Sequence, residues 1–318
     1  MAHHFWKATE KNIWSGRNDR EEGPSALRLF QIIKVAKNFL PNHYLHHIAF
    51  MGFMCDEGVR LNKGRVGAAN APDILRKSLG NLAAHTIHQI VDFGNILFNQ
   101  DLNTSQQYLA QSIKECQNLE LKTLVLGGGH ETAYGHGLGI YQSHIGKKIG
   151  IINFDAHLDL RNSSTTSSGT PFKQLAHFCQ QQDIEFNYLC IGASLASNTQ
   201  SLLETAHKLN VHIIWDTECH FNRLDFIQKQ LHDFIKAVDI IYLTIDLDVL
   251  PLSIMSAVSA PAAYGVDLSI LLTLAEEIKA TNKLKAVDFV EFNPDLDKDG
   301  LCARVAARFI WQILFNWK

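Results

Sequence analysis

Short apolar runs rich in Val, Ile and Phe recur along the chain, separated by longer amphipathic stretches. Eight of them read as strands: 48–53, 87–93, 123–126, 149–154, 186–191, 212–215, 240–245 and 286–292. Most are apolar throughout rather than alternating, as strands buried on both faces of a parallel sheet are. Helices are predicted between them over 25–39, 72–79, 105–117, 132–141, 172–182, 200–209, 224–238 and 268–280, with 301–315 closing the chain. Asp73 and Asp267 fall in or near first helical turns, where a carboxylate favours the helix dipole. No repeat, low-complexity segment or Pro/Gly/Ser linker divides the chain, and the polar stretch 161–169 reads as a loop beside a functional motif. The alternation predicts one α/β domain over 1–318, a three-layer α/β/α sandwich around a mostly parallel sheet of about eight strands. In such sheets ligands bind beyond the carboxyl ends of the strands.

Composition narrows the function classes. The 318 residues are 46% hydrophobic and 19% charged, with a net charge of −3 and no Lys/Arg block, so a nucleic-acid partner is not expected. No apolar run is long enough to span a bilayer, and residues 1–20 lack the apolar core of a signal peptide. The six cysteines contain no CxxC pair and read as reduced, buried thiols of a cytoplasmic protein.

Candidate chemistry sits where three apolar runs end. Gly127-Gly128-Gly129-His130-Glu131, Asp155-Ala156-His157-Leu158-Asp159 and Asp246-Leu247-Asp248 supply six candidate metal ligands, four Asp and two His. Taken singly, each has an ordinary reading: a glycine turn, a solvated strand end with a capping Asp, or a chance DxD. In extended backbone, Asp155, His157 and Asp159 would share one side, about 7 Å between successive residues. Six ligands exceed the needs of a tetrahedral zinc and suit a pair of divalent ions that share a carboxylate or two. An oxygen-rich set with two imidazoles favours Mn²⁺, and with it metal-activated water and hydrolysis. Glu131 reads as a helix-start charge, and His43, His46 and His47 lack ligand spacing. Trp14 and Trp215 read as core or interface, and the glycine run is no dinucleotide motif.

These motifs resemble the arginase/agmatinase superfamily of ureohydrolases, and the resemblance covers most of the chain. It implies an arginase-like fold and two Mn²⁺ per subunit. One ion would be held by His130, Asp155, Asp159 and Asp246, the other by Asp155, His157, Asp246 and Asp248, with Asp155 and Asp246 bridging. Five further segments look like the formimidoylglutamase branch. They are Trp14-x-Gly16-Arg17-x-Asp19-x-Glu21-Glu22-Gly23, Gly58-Val59-Arg60-x-Asn62-x-Gly64-Arg65-x-Gly67-Ala68, Gly128-Gly129-His130-Glu131, Ser168-Gly169-Thr170-Pro171-Phe172 and Ser259-Ala260-Pro261-Ala262-Ala263-Tyr264-Gly265. The chain departs from arginases and agmatinases at two places. Ser168-Gly169 stands where they have His-Gly, and the segment 246–251 lacks the third Asp of their DxDxxDP.

The resemblance implies hydrolysis of N-formimidoyl-L-glutamate to L-glutamate and formamide, the last step of one histidine-degradation route, by attack of a metal-bridging hydroxide on the formimidoyl carbon. Glu291 would pair with the planar amidinium group, and Asp159 would carry the proton to the leaving nitrogen. The substrate's carboxylates call for positive charge, for which Arg161 and then Arg65 are the candidates. Asn62 and Thr170 would add hydrogen bonds. Association into a homo-oligomer follows from the resemblance alone. The rivals are a guanidine hydrolase releasing urea, a single-metal zinc deacetylase and a non-catalytic metal-binding protein.

Overall fold

Successive side chains of a strand leave on opposite faces of a sheet, and here both faces are covered. The computed structural model describes residues 5–85 and 89–317. Its strands are β1 (Trp6–Lys7), β2 (Lys34–Val35), β3 (Ile48–Met54), β4 (Ile90–Leu97), β5 (Lys122–Leu126), β6 (Ile149–Phe154), β7 (Asn187–Ala193), β8 (His212–Trp215), β9 (Ile240–Asp246) and β10 (Leu284–Val290). The α-helices are α1 (Leu29–Ile32), α2 (Glu57–Leu61), α3 (Ala71–Gly80), α4 (Leu102–Gln117), α5 (Thr132–Ser143), α6 (Pro171–Gln181), α7 (Gln200–Lys208), α8 (Leu224–Lys236), α9 (Leu268–Ala280) and α10 (Leu301–Leu314).

The strands form one sheet in the order β1-β4-β3-β5-β10-β9-β6-β7-β8, with β2 also paired to β4. All pairings are parallel except β1 against β4. Strand β9 shows how the sheet is buried. Ile241, Leu243 and Ile245 enter a core with Leu75 of α3, Leu231 of α8, Leu274 of α9 and Ile310 of α10. Ile240 and Tyr242 enter the opposite core with Leu109 of α4, Leu138 of α5, Leu175 of α6 and Leu202 of α7. A continuous apolar run therefore serves both layers, and truncating one of these leucines to Ala would cost about 2–5 kcal/mol.

The sheet has ten strands rather than eight. The two additions, β1 and β2, are two residues each, too short to leave a periodic signal. The helix predicted over 25–39 is also corrected. Only Leu29–Ile32 is helical; Ile33 turns extended and Lys34–Val35 pairs with Val91 and Asp92. β-branched Ile32, Ile33 and Val35 favour that outcome once β4 offers an open edge. The start of the predicted strand 87–93 lies outside the described residues.

Trp14 belongs to the core, as expected, and its Nε1 donates to Asp92 Oδ2 at 2.7 Å. Fully buried Arg76 grips the same carboxylate through Nε and Nη2, both at 2.9 Å. This bidentate pair is also bonded to Asn95 and Gly94, which leaves no bare charge in the core. The six cysteines are free and buried. Asp267 caps α9 by accepting the Ser269 N–H at 2.8 Å. No helix among the described residues is long and apolar enough to cross a membrane.

Candidate metal centre and active site

The four central strands β5, β10, β9 and β6 end side by side, and each delivers an acidic or imidazole group to the same edge. After β5 the chain turns through Gly127–Gly129. A Cβ at Gly128 would stand 1.7 Å from Cys55 O, so only glycine lets this turn pass the end of β3. His130 follows, at the start of α5. Asp155 follows β6, Asp246 ends β9, and Glu291 follows β10.

His130 Nδ1 lies 3.1 Å from Asp155 Oδ2, 2.9 Å from Asp159 Oδ2 and 3.1 Å from Asp246 Oδ2. It makes no hydrogen bond, although it is buried. Its other nitrogen, Nε2, is 3.0 Å from Thr244 Oγ1, which fixes the ring. The second imidazole, His157, sets Nδ1 3.0 Å from Asp248 Oδ2 and 3.5 Å from Asp155 Oδ1. Two groups of converging ligand atoms result: His130, Asp155, Asp159 and Asp246, and then Asp155, His157 and Asp248. Asp155 belongs to both. Asp246 belongs only to the first, so the expected second bridge is absent from the observed grouping.

The donor set fits a pair of divalent cations. Ligand atoms bound about 2.1 Å from one ion at right angles lie about 3 Å apart, which is the spacing around His130 Nδ1. Four carboxylates buried together are a heavy electrostatic load without compensation, and two divalent ions would balance them. Without ions, protons must do this work. Burial opposes protonation of His130, yet the surrounding carboxylates of Asp155, Asp159 and Asp246 hold its pKa well above the ordinary imidazole value. Asp248 foremost, and Asp155 with it, raise His157 to about 12. Burial, then repulsion from Asp248 and Asp155, pushes Asp246 well above the carboxylate range.

The ligands converge by a route the spacing did not foretell. Strand β6 stops at Phe154, the chain bends at Ala156 and His157, and Asp159 adopts a left-handed φ of 47°. An extended segment would have put Asp155 and Asp159 too far apart to share one ion. Asp tolerates this φ better than most residues.

Three comparisons with known proteins bear on the site. The profile described as the arginase family matches residues 46–316. The chain belongs to the arginase family. It is 52% identical over 315 residues to a protein of Photorhabdus laumondii named formimidoylglutamase, covering 98% of this chain and 99% of that one. It is 50% identical to a Citrobacter koseri protein of the same name, with the same coverage. Among solved structures, formimidoylglutamase from Bacillus subtilis superposes with a TM-score of 0.81 at 23% identity, over 94% of this chain and 93% of that one. Trypanosoma cruzi formiminoglutamase with Mn²⁺ gives 0.80 at 23% identity, over 91% and 97%. At that identity these two establish the arginase-family fold.

A cavity of about 300 Å³ opens over the ligands of this arginase-family site, lined among others by His157, Asp159, Asp246, Asp248 and Glu291. Glu291 has a φ of 67°, and its Oε1 accepts the His130 N–H at 2.8 Å. Its Oε2 is buried without a hydrogen bond. Burial, then Glu131, raises its pKa well above the ordinary value. Glu131 stands at the start of α5 and belongs to neither ligand group; it is fully buried, accepts the Gly58 N–H at 2.9 Å, and burial lifts it to about 7.

The other expected substrate contacts separate. Arg161 and Asn62 line the cavity, and Asn62 Nδ2 donates to Ser168 Oγ at 3.2 Å. Arg65 lines it too, but its Nε and Nη2 donate to the carbonyls of Ser259 and Val258 at 3.0 and 2.5 Å. Thr170 does not line it. It is buried at the start of α6, with its hydroxyl engaged by Ser167 and Gln174. Thr244 and Asn153 were not foreseen. Asn153 Nδ2 donates to Asp155 Oδ2 at 2.9 Å. Both lie two residues before a ligand Asp, on the same strand face, so the strand period could have found them. Lys63 also lines the cavity and was missed.

Proposed function

We propose that this protein hydrolyses N-formimidoyl-L-glutamate to L-glutamate and formamide, with two Mn²⁺ held by His130, Asp155, Asp159, Asp246, His157 and Asp248. The observation that carries the reading is the pairing, in one cavity, of a buried unpartnered carboxylate oxygen on Glu291 with an arginine at Arg161. A planar amidinium flanked by carboxylates asks for that combination, whereas the free amine of agmatine would ask for acidic groups alone. The half-sequence identity to proteins named formimidoylglutamase supports the same substrate.

When bound, the ions supply Lewis acidity that makes water a nucleophile at neutral pH. The chain's own groups do the rest. Glu291 Oε2 binds the N–C–N plane and fixes the formimidoyl carbon, while Oε1 stays anchored on the His130 N–H. Asp159, whose side chain is 13% exposed toward the cavity, takes a proton and delivers it to the departing glutamate nitrogen. Arg161 holds a carboxylate. Ser168, at the position where arginases carry His, is held by Asn62. Its hydroxyl lacks the pKa of a shuttle near neutrality, which leaves Asp159 as the proton carrier. A homo-oligomer working in the cytoplasm, within histidine degradation, completes the reading.

The test is product analysis of Mn²⁺-loaded protein with N-formimidoyl-L-glutamate, and with agmatine, arginine and guanidinobutyrate in parallel. Formamide and glutamate from the first substrate alone, lost on chelation, are expected. Urea from a guanidine without formamide would overturn the assignment.

A further inference from the structure

A substrate with two carboxylates needs two cationic partners, and the cavity is lined by three cationic side chains, Lys63, Arg65 and Arg161. Their situations differ. The Arg65 guanidinium is tied to Val258 O and Ser259 O through Nη2 and Nε, and its backbone N–H donates to Ser259 Oγ at 2.9 Å. Arg65 is a brace between two loops. Arg161 lies across Gly169, where a Cβ would stand 2.8 Å from its Cδ and 2.9 Å from its Nε. No ion pair or side-chain hydrogen bond holds Arg161 or Lys63 among the described residues, so both remain available to a ligand.

Lys63 is also fixed in place by the end of α2. Its φ of 63° is that of the left-handed residue that closes a Schellman turn. The loop enforces this conformation from both sides. Lys63 N–H donates to Arg60 O at 3.0 Å and Gly64 N–H to Val59 O at 2.8 Å. Further along, Asn293 Nδ2 holds the carbonyls of Arg65 and Val66 at 3.1 and 2.9 Å, and Asp56 Oδ2 accepts the Gly67 N–H at 2.6 Å. The turn and its braces fix where the Lys63 side chain leaves the backbone, at the rim of the cavity.

We infer that Lys63 is a specificity-determining residue: its ammonium binds one carboxylate of the substrate and Arg161 binds the other, while Arg65 only braces the loop that carries Lys63. The inference rests on the dicarboxylate substrate proposed above.

The test compares the Mn²⁺-loaded protein on three substrates: N-formimidoyl-L-glutamate, 4-(formimidoylamino)butyrate, which lacks the α-carboxylate, and N-formimidoyl-L-2-aminobutyrate, which lacks the side-chain carboxylate. Lys63→Asn is the informative variant, because Asn accepts the left-handed backbone. It should raise KM for the full substrate by roughly tenfold or more, with kcat and Mn²⁺ content little changed. It should also abolish the preference for the full substrate over one of the two analogues. Arg161→Ala should abolish the preference over the other analogue, and Lys63→Arg should restore most of what Lys63→Asn loses. If Lys63→Asn leaves KM and both preferences within about twofold, or if Arg65→Ala erases a preference instead, the assignment of Lys63 is wrong while the substrate stands. If the unmodified protein releases no formamide from the dicarboxylate, the reading of the whole site falls and this one with it.

Discussion

Asp155 and Asp246 are held in the same way: in each, Oδ2 stands 3.1 Å from His130 Nδ1 while Oδ1 accepts the N–H of the residue two positions on. Those N–H groups belong to His157 and Asp248, themselves candidate ligands. The D-x-H and D-x-D motifs are thus one device, an Asp-centred turn that orients its own carboxylate and presents a second ligand beside it. Substitution by Asn keeps the turn's acceptor and removes the charge. Asp155→Asn should therefore fold yet lose both ions, because Asp155 serves both groups. Asp246→Asn leaves Asp155, His157 and Asp248 in place and should retain one of the two. Metal content after dialysis distinguishes these outcomes, and equal loss in both variants would refute the unequal sharing.

The metal-free protein should lose stability as pH rises. Asp248 and Asp155 push His157 up to about 12 from the ordinary imidazole value of 6.5, so the folded state holds this proton more tightly. Its contribution is complete below pH 6.5 and drains away as pH climbs toward 12. The raised carboxyls of Asp246, Asp248 and Glu291 act in the same direction from lower pH. With chelator present, melting should occur at lower temperature near pH 9 than near pH 7. Ion binding expels these protons, so Mn²⁺ affinity should rise over the same interval. Calorimetry in buffers of different ionisation enthalpy would register the proton release; no release would contradict the protonated imidazoles.

Thr244 should matter to metal affinity without touching metal. Its hydroxyl is 3.0 Å from His130 Nε2 and settles which nitrogen faces the carboxylates. Thr244→Val keeps the shape and deletes the contact, and Mn²⁺ affinity should fall by about 10–100-fold. Equilibrium dialysis would read it, and unchanged affinity would make the contact incidental.

Glu291→Gln separates substrate binding from metal binding. The amide oxygen can still accept the His130 N–H, so the turn and the ion content should survive. The charge opposite the amidinium is lost, and kcat/KM should drop by about 10–100-fold. Loss of bound metal in this variant would place Glu291 among the ligands instead.

Much of this site was legible in the sequence because its candidate ligands sit at the ends of apolar runs. Asp155 and Asp246 follow strands buried on both faces, and that alone put them on one edge of a parallel sheet. The local path was only partly legible. The bend at His157 is set by the Asp155 side chain and is legible as an Asp-centred turn, but nothing in residues 155–159 announces the left-handed Asp159, whose carboxylate meets His130 from after β5. Arg65 was a candidate for its positive charge in a glycine-rich loop, and Thr170 for the hydrogen bonds a hydroxyl could add. The carbonyls that occupy Arg65 lie 193 and 194 residues further along the chain, beyond any local pattern. The two-residue β1 and β2 escaped for a simpler reason, being set by the free edge of β4 rather than by their own composition.

Strand β10 is the last in the chain, yet it lies between β5 and β9. All six ligand residues have left the ribosome by Asp248, but until residues 284–290 follow, the sheet has no seam. His130 belongs to the half built on β3, β4 and β5; Asp155 and Asp246 belong to the half built on β6 to β9. A nascent or C-terminally truncated chain can carry every candidate ligand and still keep His130 apart from Asp155, Asp159 and Asp246. The first ligand group is thus the seam between two halves of the sheet, closed by the strand that comes last in sequence.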